Sequence, residues 1–381
     1  MSLHILFYTP FNSRSRDTET LMLDFTRQGH KVFLLTHAAE GPYHQFAKQH
    51  GVEAFAAGIP QGFAPFFYLR QLLFLLRFIK KNKIRLVYAH LEPTALVASF
   101  ARFIMPSVVF FACRHSVDEP YLSGNKNFIR VNKWCYRLAK YVIVVSERAK
   151  QFMIEKEKIR AEKIRVINLA YDFSIYPPVS ADAVNAIKEK YAGEVLLLTA
   201  CRLVESKRPE ISIRVMEQLV KEKGIANARL LMCGEGPLKN SLEELIKNKG
   251  LEKNISLTGQ VNNMLDYLSA TDILLHPSIL DSSSVIIKEA GLCKKTVITC
   301  RDVGDVNDYL IHDENALLVQ RDDPADEMTK QVMRFLQNKI SMTSLLGENL
   351  HAIVKKRFHI GEISPVYRQM HEQIEANQPP F

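Results

Sequence analysis

The chain has 381 residues, of which 47% are hydrophobic and 24% charged. This composition excludes a disordered or fibrous protein, and the length predicts more than one domain because single hydrophobic cores stop growing well below this size. Of the 50 Lys and Arg and 41 Asp and Glu, residues 1–178 hold 25 and 13, and the remainder holds 25 and 28. A basic front half and a mildly acidic back half predict two domains with different partners.

Strand-like apolar runs alternate with amphipathic, helix-like runs along the chain. In the first half, strands are predicted near residues 3–8, 31–36, 86–90, 107–112, 141–145 and 164–167, with helices over 18–28 and 127–140. In the second half, strands are predicted at Val195–Ala200, Arg229–Cys233, Ile255–Thr258, Ile273–His276, Thr296–Thr299 and Ala316–Val319. This alternation predicts the α/β class, with parallel sheets covered by helices on both faces.

Two consecutive prolines, Pro177 and Pro178, oppose regular structure and mark the best candidate for a linker between domains. We therefore predict an N-terminal domain over residues 1–175 and a C-terminal domain over residues 176–361. Both are expected to be doubly wound and Rossmann-like, and to face each other across a cleft. The last segment, 362–381, is expected to form a helix that packs back onto the first domain. Ligands of such sheets bind beyond the carboxyl ends of the strands.

Cysteine usage and the start of the sequence predict a cytoplasmic location. The six cysteines form no Cys-x-x-Cys pair and mostly lie in apolar strand-like runs, which favours reduced, buried thiols. The sequence starts with the strand-like run His4–Tyr8, with no charged leader before an apolar core, so secretion is not expected.

The most informative stretch is 271–291, where an apolar strand is followed by a polar turn and then a helix. Asp281 stands in the turn, and Glu289 stands eight residues later, inside the helix. Between them Ser282–Ser284 supply hydroxyls and backbone N–H groups at a helix N-terminus, which is a place that holds anions such as a diphosphate. Carboxylates beside that place suit sugar hydroxyls, so this segment predicts contacts with both parts of a nucleotide sugar.

Two cations stand at the first strand-to-helix turn of the second half. Arg202 follows the strand and Lys207 precedes the next helix, and together they suit a diphosphate leaving group, whose growing charge they would stabilise. A solvated basic turn is the alternative for these two residues taken alone. The glycines after the next two strands, Gly234 and Gly259, are weaker signals of close approach to a ligand.

Five features of the second half occur in a fixed order: Arg202, Lys207, the Gly-Glu-Gly-Pro turn from Gly234, the Leu-Thr-Gly-Gln-Val run ending at Val261, and the spacing of Asp281 and Glu289. In these features the second half resembles the retaining glycosyltransferases of family 4. The GT-B fold of that family has two Rossmann-like domains. Val303–Asp305 and Asn315–Val319 continue the resemblance. In the first half the match is fainter, and His90 and His115 look like the family's two histidine-bearing strand ends.

The resemblance implies a role for each matching residue. Arg202 and Lys207 would neutralise the donor diphosphate, and His115 would contact the sugar near its anomeric centre. Asp281, on the transferred sugar, is the fourth implied catalytic residue beside Arg202, Lys207 and His115. The implied donor-binding residues are Glu289 on the ribose, Ser282, Ser283, Ser284, Val285 and Ile286 on sugar and phosphate, Val261 on the base, and Gly234. The resemblance further implies that basic side chains replace a metal ion, with no cofactor and with a nucleotide sugar as substrate. Satisfied structural histidines remain the alternative for His90 and His115.

Several positions depart from the family's pattern. Asp281 stands where Glu is usual, and Ser282 and Ser284 replace glycines of that loop. Cys201 replaces the glycine before Arg202, and the loop 10–17 after the first strand has no glycine. These changes bear on the donor sugar and on the acceptor geometry more than on the reaction class.

The basic front half predicts an anionic partner. Basic residues recur at helical spacing, with no acidic residue among them, at Lys126, Arg130, Lys133, Arg137 and Lys140, with Phe128 and Trp134 beside them. The apolar run 66–79 contains Arg70 and Arg77 and is too short to span a bilayer, so it predicts a largely buried core helix or, alternatively, a helix on a membrane surface. We expect an acceptor domain that rests on an anionic membrane at its inner face, and no nucleic acid partner, since no nucleic-acid motif is present.

The sequence as a whole predicts a retaining, metal-independent glycosyltransferase that moves a sugar from a nucleotide sugar to a glycan or lipid-linked acceptor. Surface polysaccharide, lipopolysaccharide or glycolipid synthesis is the expected setting. The altered loops at 10–17 and 281–284 leave an alternative open, a catalytically degenerate protein of this fold that binds nucleotide or glycan without turnover. An epimerase of the same architecture is a third candidate.

Overall fold

The structure, a computed structural model, describes residues 2–60, 63–117 and 126–376, and of Lys126 and Phe128 it describes the backbone only. The chain forms two compact units, one of Met1–Phe173 with Arg357–Phe381 and one of Ser174–Lys356. From the sequence we predicted domain boundaries after residues 175 and 361. Where each independently folding domain begins and ends stays a prediction.

The described part of the first unit contains one parallel sheet of seven strands, in the order β3-β2-β1-β4-β5-β6-β7. These strands are β1 (His4–Thr9), β2 (Lys31–Thr36), β3 (Glu53–Ala56), β4 (Leu86–His90), β5 (Val109–Arg114), β6 (Tyr141–Val144) and β7 (Ile164–Val166). Strand β3 was not predicted, because this short edge strand has no apolar run and buries only Ala54.

Helices cover both faces of this sheet. They are α1 (Arg16–Arg27), α2 (Pro42–Gln49), α3 (Ala64–Asn82), α4 (Glu92–Ile104), α5 (Lys126–Leu138), α6 (Glu147–Glu155) and the last helix of the chain, α15 (Ile360–Ala376). Buried side chains of α3, α4, α5 and α6 form one core with the sheet, and those of α1, α2 and α15 form the core on the other face. The last helix packs on α1, where Gln28 and Asp24 both hydrogen-bond Ser364.

The second unit has a parallel sheet of six strands among the described residues, in the order β10-β9-β8-β11-β12-β13. The strands are β8 (Leu196–Ala200), β9 (Arg229–Cys233), β10 (Ile255–Gly259), β11 (Ile273–His276), β12 (Thr296–Cys300) and β13 (Leu317–Val319). The helices are α7 (Ala181–Lys190), α8 (Pro209–Glu217), α9 (Lys239–Asn248), α10 (Met264–Ala270), α11 (Val285–Leu292), α12 (Val306–Tyr309), α13 (Ala325–Gln337) and α14 (Lys339–Phe358).

Both units are therefore doubly wound and Rossmann-like, which confirms the predicted α/β class. In each sheet the strand order reverses beside the first strand of the unit, between β1 and β4 and between β8 and β11. Loops after these paired strands diverge to opposite faces and leave a crevice at the carboxyl ends of the strands. The loops after β8 and β11 carry Lys207 and Asp281, and those after β1 and β4 lead into α1 and α4.

Two further expectations concern the cysteines and the burial of helix α3. All six cysteines are free, four buried and two partly exposed. Helix α3 is not the largely buried helix that was expected, because only Gln71, Leu75, Phe78 and Ile79 are buried in it and one side of the helix is exposed. Within the described ranges, no helix combines the length and the apolar character that crossing a bilayer requires.

Candidate functional site

The second unit brings Lys207 and Asp281 together at its crevice. The Lys207 ammonium donates a hydrogen bond of 2.6 Å to Asp281 Oδ2, and it lies 3.3 Å from the carbonyl oxygen of Leu280. Both side chains are largely but not fully buried, with 14% and 20% of their surfaces exposed. The two residues lie in the loops after β8 and β11. These strands are neighbours in the sheet, so their loops lie side by side.

The two loops are also fastened to each other through their backbones. The Ser206 carbonyl accepts hydrogen bonds from the Ile279 N–H at 3.0 Å and from the Ser278 hydroxyl at 3.2 Å. Arg208, which has a left-handed backbone at φ +47°, donates from Nε to the Pro277 carbonyl at 2.9 Å. Because these contacts lie on either side of Lys207 and before Asp281, they fix the distance between the two charged side chains.

The Asp281 carboxyl is held ionised. Burial raises its pKa, but a hydrogen bond with His276 and the charge of Lys207 outweigh burial, so its pKa lies below the usual range. His276 ends β11 and is buried, and its Nε2 lies 3.5 Å from Asp281 Oδ2 and 3.0 Å from the Ser284 hydroxyl. The Nδ1 atom of the same ring lies 3.2 Å from the Thr299 hydroxyl, which fixes the ring plane.

The serine turn between Asp281 and helix α11 is folded inward. Ser283 and Ser284 are buried, and their hydroxyls bond to Asp305 and His276 within the unit. Ser282 is partly exposed, and its N–H donates to Asp281 Oδ1 at 3.0 Å. The side chains of Ser283 and Ser284 thus shape the turn, so any contact of these two residues with a ligand falls to their backbone groups.

A buried ion pair supports this turn from beneath. The Lys288 ammonium donates to Asp305 Oδ2 at 2.7 Å and to the Ser283 hydroxyl at 2.9 Å, and both charged side chains are only 1% exposed. Burial lowers the pKa of Lys288 and raises that of Asp305, and their mutual attraction opposes both shifts. The Lys288 ammonium also lies 4.9 Å from the centre of the Tyr309 ring. Removing either partner leaves a buried charge without compensation.

Gly304 allows the backbone beside Asp305 to approach the turn. Its φ is +53°, and a Cβ atom there would come within 2.5 Å of the Ser282 carbonyl oxygen and 2.6 Å of that of Asp281. A side chain at this position would therefore push the turn away and would also strain the backbone. The glycine and the ion pair together hold the turn in one place.

Helix α11 begins directly after the turn and supplies backbone donors. Ser284 is its N-cap residue, its hydroxyl caps none of the first N–H groups, and Val285 is exposed while Ile286 is half-buried. The first N–H groups of a helix have no acceptor within the helix, and the helix dipole favours an anion at this end. Glu289 lies one turn further along and is buried.

Two glycines after β9 allow close packing against the loop after β8. A Cβ at Gly234 would come within 1.9 Å of the Cys201 carbonyl oxygen, and one at Gly236 within 2.4 Å of that of Leu203. Only glycine fits in these positions, so close backbone packing alone explains the glycine at position 234, without any ligand. Val261, after β10, is half-buried.

Arg202 is the one predicted phosphate-binding cation that the structure leaves apart from the turn. It follows β8 and its side chain is exposed, and across the described residues no hydrogen bond or ion pair joins it to residues 281–284. The structure thus brings together Lys207, Asp281, the serine turn and the start of α11. The roles of all these residues toward a donor stay predictions.

The first unit places His115 beside His90. Nδ1 of His90 lies 3.0 Å from Nε2 of His115, and the rings stack with centroids 5.3 Å apart. Burial, and then the neighbouring His115, lowers the pKa of His90 well below its ordinary value, so His90 is neutral. Both rings border a cavity of about 240 Å³, whose lining also includes Phe11, Thr18 and Tyr43.

The backbone after His90 is strained. Leu91 has φ +67°, a conformation that residues with a side chain rarely adopt, and its N–H donates to the Cys113 carbonyl at 3.1 Å. At the end of β5, the buried Arg114 donates to Glu157 at 2.7 Å and also to the carbonyl oxygens of Ser116 and Val117. Arg114 therefore anchors the loop that carries His115.

Sequence reasoning missed His276, Lys288, Asp305 and Arg208 as parts of this arrangement. Lys288 stands in a helix among apolar residues, where a lysine at a buried position is rare unless paired. This unusual lysine was the available signal in the sequence. Its partner Asp305 lies 17 residues further along the chain and cannot be assigned from periodicity. Among the residues that the structure describes, no group of three or more His, Cys, Asp or Glu is arranged to hold a metal ion.

Two family models match the chain. Glycosyltransferase Family 4 matches residues 16–174, and Glycosyl transferases group 1 matches residues 181–351. The chain belongs to glycosyltransferase family 4. The family recognised from Arg202, Lys207 and the 281–289 spacing is thereby confirmed.

Known proteins similar to this glycosyltransferase are distant in sequence. The GPI3 subunit of phosphatidylinositol N-acetylglucosaminyltransferase from Saccharomyces cerevisiae is 22% identical over 344 residues, which cover 84% of this chain and 72% of the relative. N-acetylgalactosamine-N,N'-diacetylbacillosaminyl-diphospho-undecaprenol 4-alpha-N-acetylgalactosaminyltransferase from Campylobacter jejuni is 25% identical over 206 residues, 53% of each chain. Anabaena HepE, solved with UDP-glucose, has a TM-score of 0.82 at 19% identity, covering 98% of this chain and 100% of HepE. Such solved neighbours confirm the GT-B fold.

Proposed function

We propose that this protein is a retaining glycosyltransferase that moves a sugar from a nucleotide sugar to a hydroxyl of a glycan or lipid-linked acceptor. The observation that carries the proposal is the ammonium of Lys207, 2.6 Å from Asp281 in the turn before helix α11. One cation, one carboxylate and the first N–H groups of a helix meet there, at the end of the crevice where such folds bind nucleotides.

The donor diphosphate would take the place of Asp281 as the partner of Lys207. Negative charge grows on the leaving diphosphate as the glycosidic bond breaks, and a positioned ammonium in a largely buried site stabilises that charge better than water does. The exposed Arg202 would add a second cation when the donor binds. The N–H groups of Ser283–Ile286 would hold the phosphate and sugar oxygens, with Asp281 and Glu289 accepting from sugar and ribose hydroxyls.

The base and the sugar of the donor are matters for experiment. UDP-glucose bound to Anabaena HepE supports a nucleotide sugar as donor. Val261 is proposed to contact the base, and Gly234 is proposed as a further donor-binding residue. A thermal-shift screen against nucleoside diphosphates and nucleotide sugars is expected to raise the melting temperature with one base preferred. A panel that gives no shift for any nucleotide would contradict the proposed donor site.

Retention of the anomeric configuration is supported by the family resemblance. Departure of the diphosphate and attack by the acceptor hydroxyl would occur on the same face of the sugar, with His115 near the anomeric carbon. Proton NMR of the first product, taken before it mutarotates, is expected to show the donor's own anomer. The opposite anomer would contradict retention while leaving transfer intact.

The acceptor is proposed to be a glycan or a lipid-linked glycan in surface polysaccharide, lipopolysaccharide or glycolipid synthesis. The relatives named above act, by their names, on a phosphatidylinositol and on a diphospho-undecaprenol-linked sugar, which supports lipid-linked acceptors. We further propose that the enzyme works in the cytoplasm at the inner face of a membrane, for which the excess of basic residues in the first half is the support.

Transfer is proposed to need neither metal nor cofactor, because the ammonium of Lys207 would do the work of a metal ion on the diphosphate. Turnover is therefore expected to be unchanged in excess EDTA. Loss of turnover in EDTA, restored by Mg²⁺ or Mn²⁺, would contradict this part of the proposal.

The rival function is binding of nucleotide or glycan without turnover. Ser283 and Ser284 point their hydroxyls inward, and Cys201 stands where the family has glycine, so the donor loop differs from the family's pattern. Hydrolysis of the donor by the wild type, lost in Lys207→Ala, would eliminate the rival. Release of an altered free sugar without any acceptor would instead favour the epimerase.

A further inference from the structure

Three helices of the first unit share one outer surface. Helices α3, α4 and α5 all bury one side in the same core on one face of the sheet, through residues such as Leu75, Ala98 and Cys135. Helix α4 lies between the other two and contacts both. Because each helix turns one side to the same sheet face, their opposite sides form one continuous outer layer.

That layer exposes large apolar side chains on all three helices. Phe66 is 63% exposed and Phe103 77%, and the rings of Phe100 on α4 and Trp134 on α5 lie 5.1 Å apart across the two helices. The exposed apolar residues of the three helices are Phe66, Leu69, Leu73, Phe100, Phe103, Ile104, Val131 and Trp134. Scattered exposed apolar residues are ordinary, but a cluster on adjacent helices marks a surface that something covers.

Within the described residues of α3, α4 and α5, the exposed charges all have one sign. The exposed basic residues of the layer are Arg70, Arg77, Lys80 and Lys81 on α3, Arg130 and Arg137 on α5, and Lys140 just after α5. The sequences of the three helices contain one acidic residue, Glu92, at the first turn of α4, where it is half-buried and accepts from the Ser116 hydroxyl. We call the exposed apolar and basic residues together the basic-aromatic face.

We propose that the basic-aromatic face docks this glycosyltransferase on an anionic lipid bilayer. Aromatic and aliphatic side chains would enter the boundary between headgroups and acyl chains, and the Lys and Arg around them would meet lipid phosphates. A second copy of the chain is disfavoured as the partner, because two such faces would bring like charges together. Nucleic acid would neutralise the charges but would leave the aliphatic residues Leu69, Leu73 and Ile104 uncovered.

The inference extends the sequence-based expectation in two ways. The basic stripe on α5 is one edge of the face, while the apolar centre comes from α4, whose exposed Phe103 and Ile104 the sequence analysis did not single out. Lys126 and Phe128, named with that stripe, lie outside the described side chains. The inference rests on the proposed membrane-linked acceptor but not on the proposed donor site.

Trp134 gives the test a direct probe, since it is the single tryptophan of the chain and lies on the face. Vesicles of phosphatidylcholine with 30% phosphatidylglycerol, at low salt, are expected to shift its emission to the blue and to bind the protein in co-sedimentation. Brominated lipids are expected to quench the emission. Pure phosphatidylcholine is expected to bind much more weakly, and salt is expected to weaken binding to the anionic vesicles.

Two variants test the two parts of the face. The triple change Arg70→Gln, Arg77→Gln, Lys81→Gln is expected to weaken vesicle binding about 100-fold, since each basic residue near such a surface counts for about fivefold. Its matched control, with the same net charge, changes the exposed Lys223, Lys253 and Lys330 of the second unit to Gln and is expected to bind as the wild type does.

The apolar part is tested by Phe66→Ser with Phe103→Ser, which is expected to abolish the blue shift. Its control is Ile340→Ser with Leu345→Ser, two exposed apolar residues of the second unit, with binding expected to be retained. Hydrolysis of the donor in solution is expected to be equal in all four variants, which also shows that they are folded.

Several results would overturn the inference. They are no vesicle binding by the wild type, equal binding to neutral and anionic vesicles, unchanged binding in both face variants, a dimer that the face variants dissociate, or binding of duplex DNA without binding of vesicles. Vesicle binding without any donor hydrolysis would leave the inference standing and contradict the proposed function instead.

Discussion

The serine turn of the second unit and the basic-aromatic face of the first unit differ in how their cations are paired with carboxylates. At the turn, Lys207 meets Asp281 and Lys288 meets Asp305, so each cation has a carboxylate partner inside the protein. On the face, the exposed cations of α3 and α5 have no acidic residue within their own helices. The described helices of the face thus carry an excess of positive charge, while the turn keeps a balanced network.

The two pairs at the turn differ in a way that separates structure from function. The Lys288–Asp305 pair is almost fully buried, so it can only support the turn. The Lys207–Asp281 pair keeps 14% and 20% of its side-chain surfaces exposed, so an entering anion can reach the ammonium. We infer that one pair is permanent and that the other is exchanged when the donor binds.

The largest expected effect comes from breaking the permanent pair. Asp305→Asn leaves the Lys288 ammonium buried without a counter-charge and is expected to lower the free energy of unfolding by about 3–5 kcal/mol in urea titrations. Lys288→Met combined with Asp305→Asn is expected to cost less than the sum of the single changes. The control Lys294→Met removes an exposed partner of Glu348 and is expected to cost at most about 1 kcal/mol. Equal effects of Asp305→Asn and the control would mean that the pair does not support the turn.

Removing the exchangeable cation is expected to affect catalysis rather than folding. Lys207→Ala should lower turnover about 100- to 1000-fold, or about 2.7–4 kcal/mol, the usual result of removing one group that stabilises the leaving charge. Lys221→Ala, which removes an exposed lysine paired with Glu217, is the matched control and should keep its turnover. Steady-state kinetics of transfer or donor hydrolysis measures both. Turnover within threefold of the wild type in Lys207→Ala would refute the proposed role.

The position of the turn can be tested through glycine. Gly304→Ala places a methyl group within 2.6 Å of two carbonyl oxygens of the turn and is expected to weaken nucleotide binding about tenfold, or about 1.4 kcal/mol. Gly224→Ala is a matched control, because Gly224 has φ +74° but no atom within 4 Å of an added Cβ. Both variants carry the backbone strain, and only the first displaces the turn. Calorimetric titration with the preferred nucleoside diphosphate would show the difference, and equal affinities would contradict the account.

The last effect is a slope with pH, and it concerns the protonation of two buried histidines in the first unit. Burial lowers the pKa of His37 to about 4, and burial with the nearby His30 lowers that of His371 to about 3. Below pH 6.5 these histidines are protonated in the unfolded chain but stay neutral in the folded protein. The free energy of unfolding should therefore fall as the pH drops toward 4. Each histidine contributes about 1.4 kcal/mol per pH unit. His37→Gln should make the urea-unfolding profile shallower by that amount, and an unchanged slope would contradict it.

The difference between the two regions also explains what the sequence could predict. Asp281, Glu289 and Lys207 could be chosen as candidates because their spacing lies within single strand-turn-helix segments, where local geometry follows from the sequence. Lys288 with Asp305, and His276 with Ser284, depend on side-chain directions across the unit, which no spacing reveals.

The outer layer of the first unit was harder to predict for another reason. Helix α3 is apolar nearly all round, so periodicity could not tell which of its apolar residues are buried, and a largely buried helix was expected. Only packing against the sheet separates Leu75 and Phe78, which are buried, from Phe66 and Leu73, which are exposed. Strand β3 was missed because an edge strand of four residues leaves almost no apolar signature.

The most direct test of the central claim, that the donor diphosphate replaces Asp281 as the partner of Lys207, is calorimetric binding of nucleoside diphosphates to two variants. Lys207→Met should weaken binding of the preferred diphosphate at least tenfold. Asp281→Asn removes the competitor for the ammonium, so it should bind the diphosphate at least as tightly as the wild type while losing turnover. If Asp281→Asn instead weakened diphosphate binding as much as Lys207→Met does, the exchange would be contradicted.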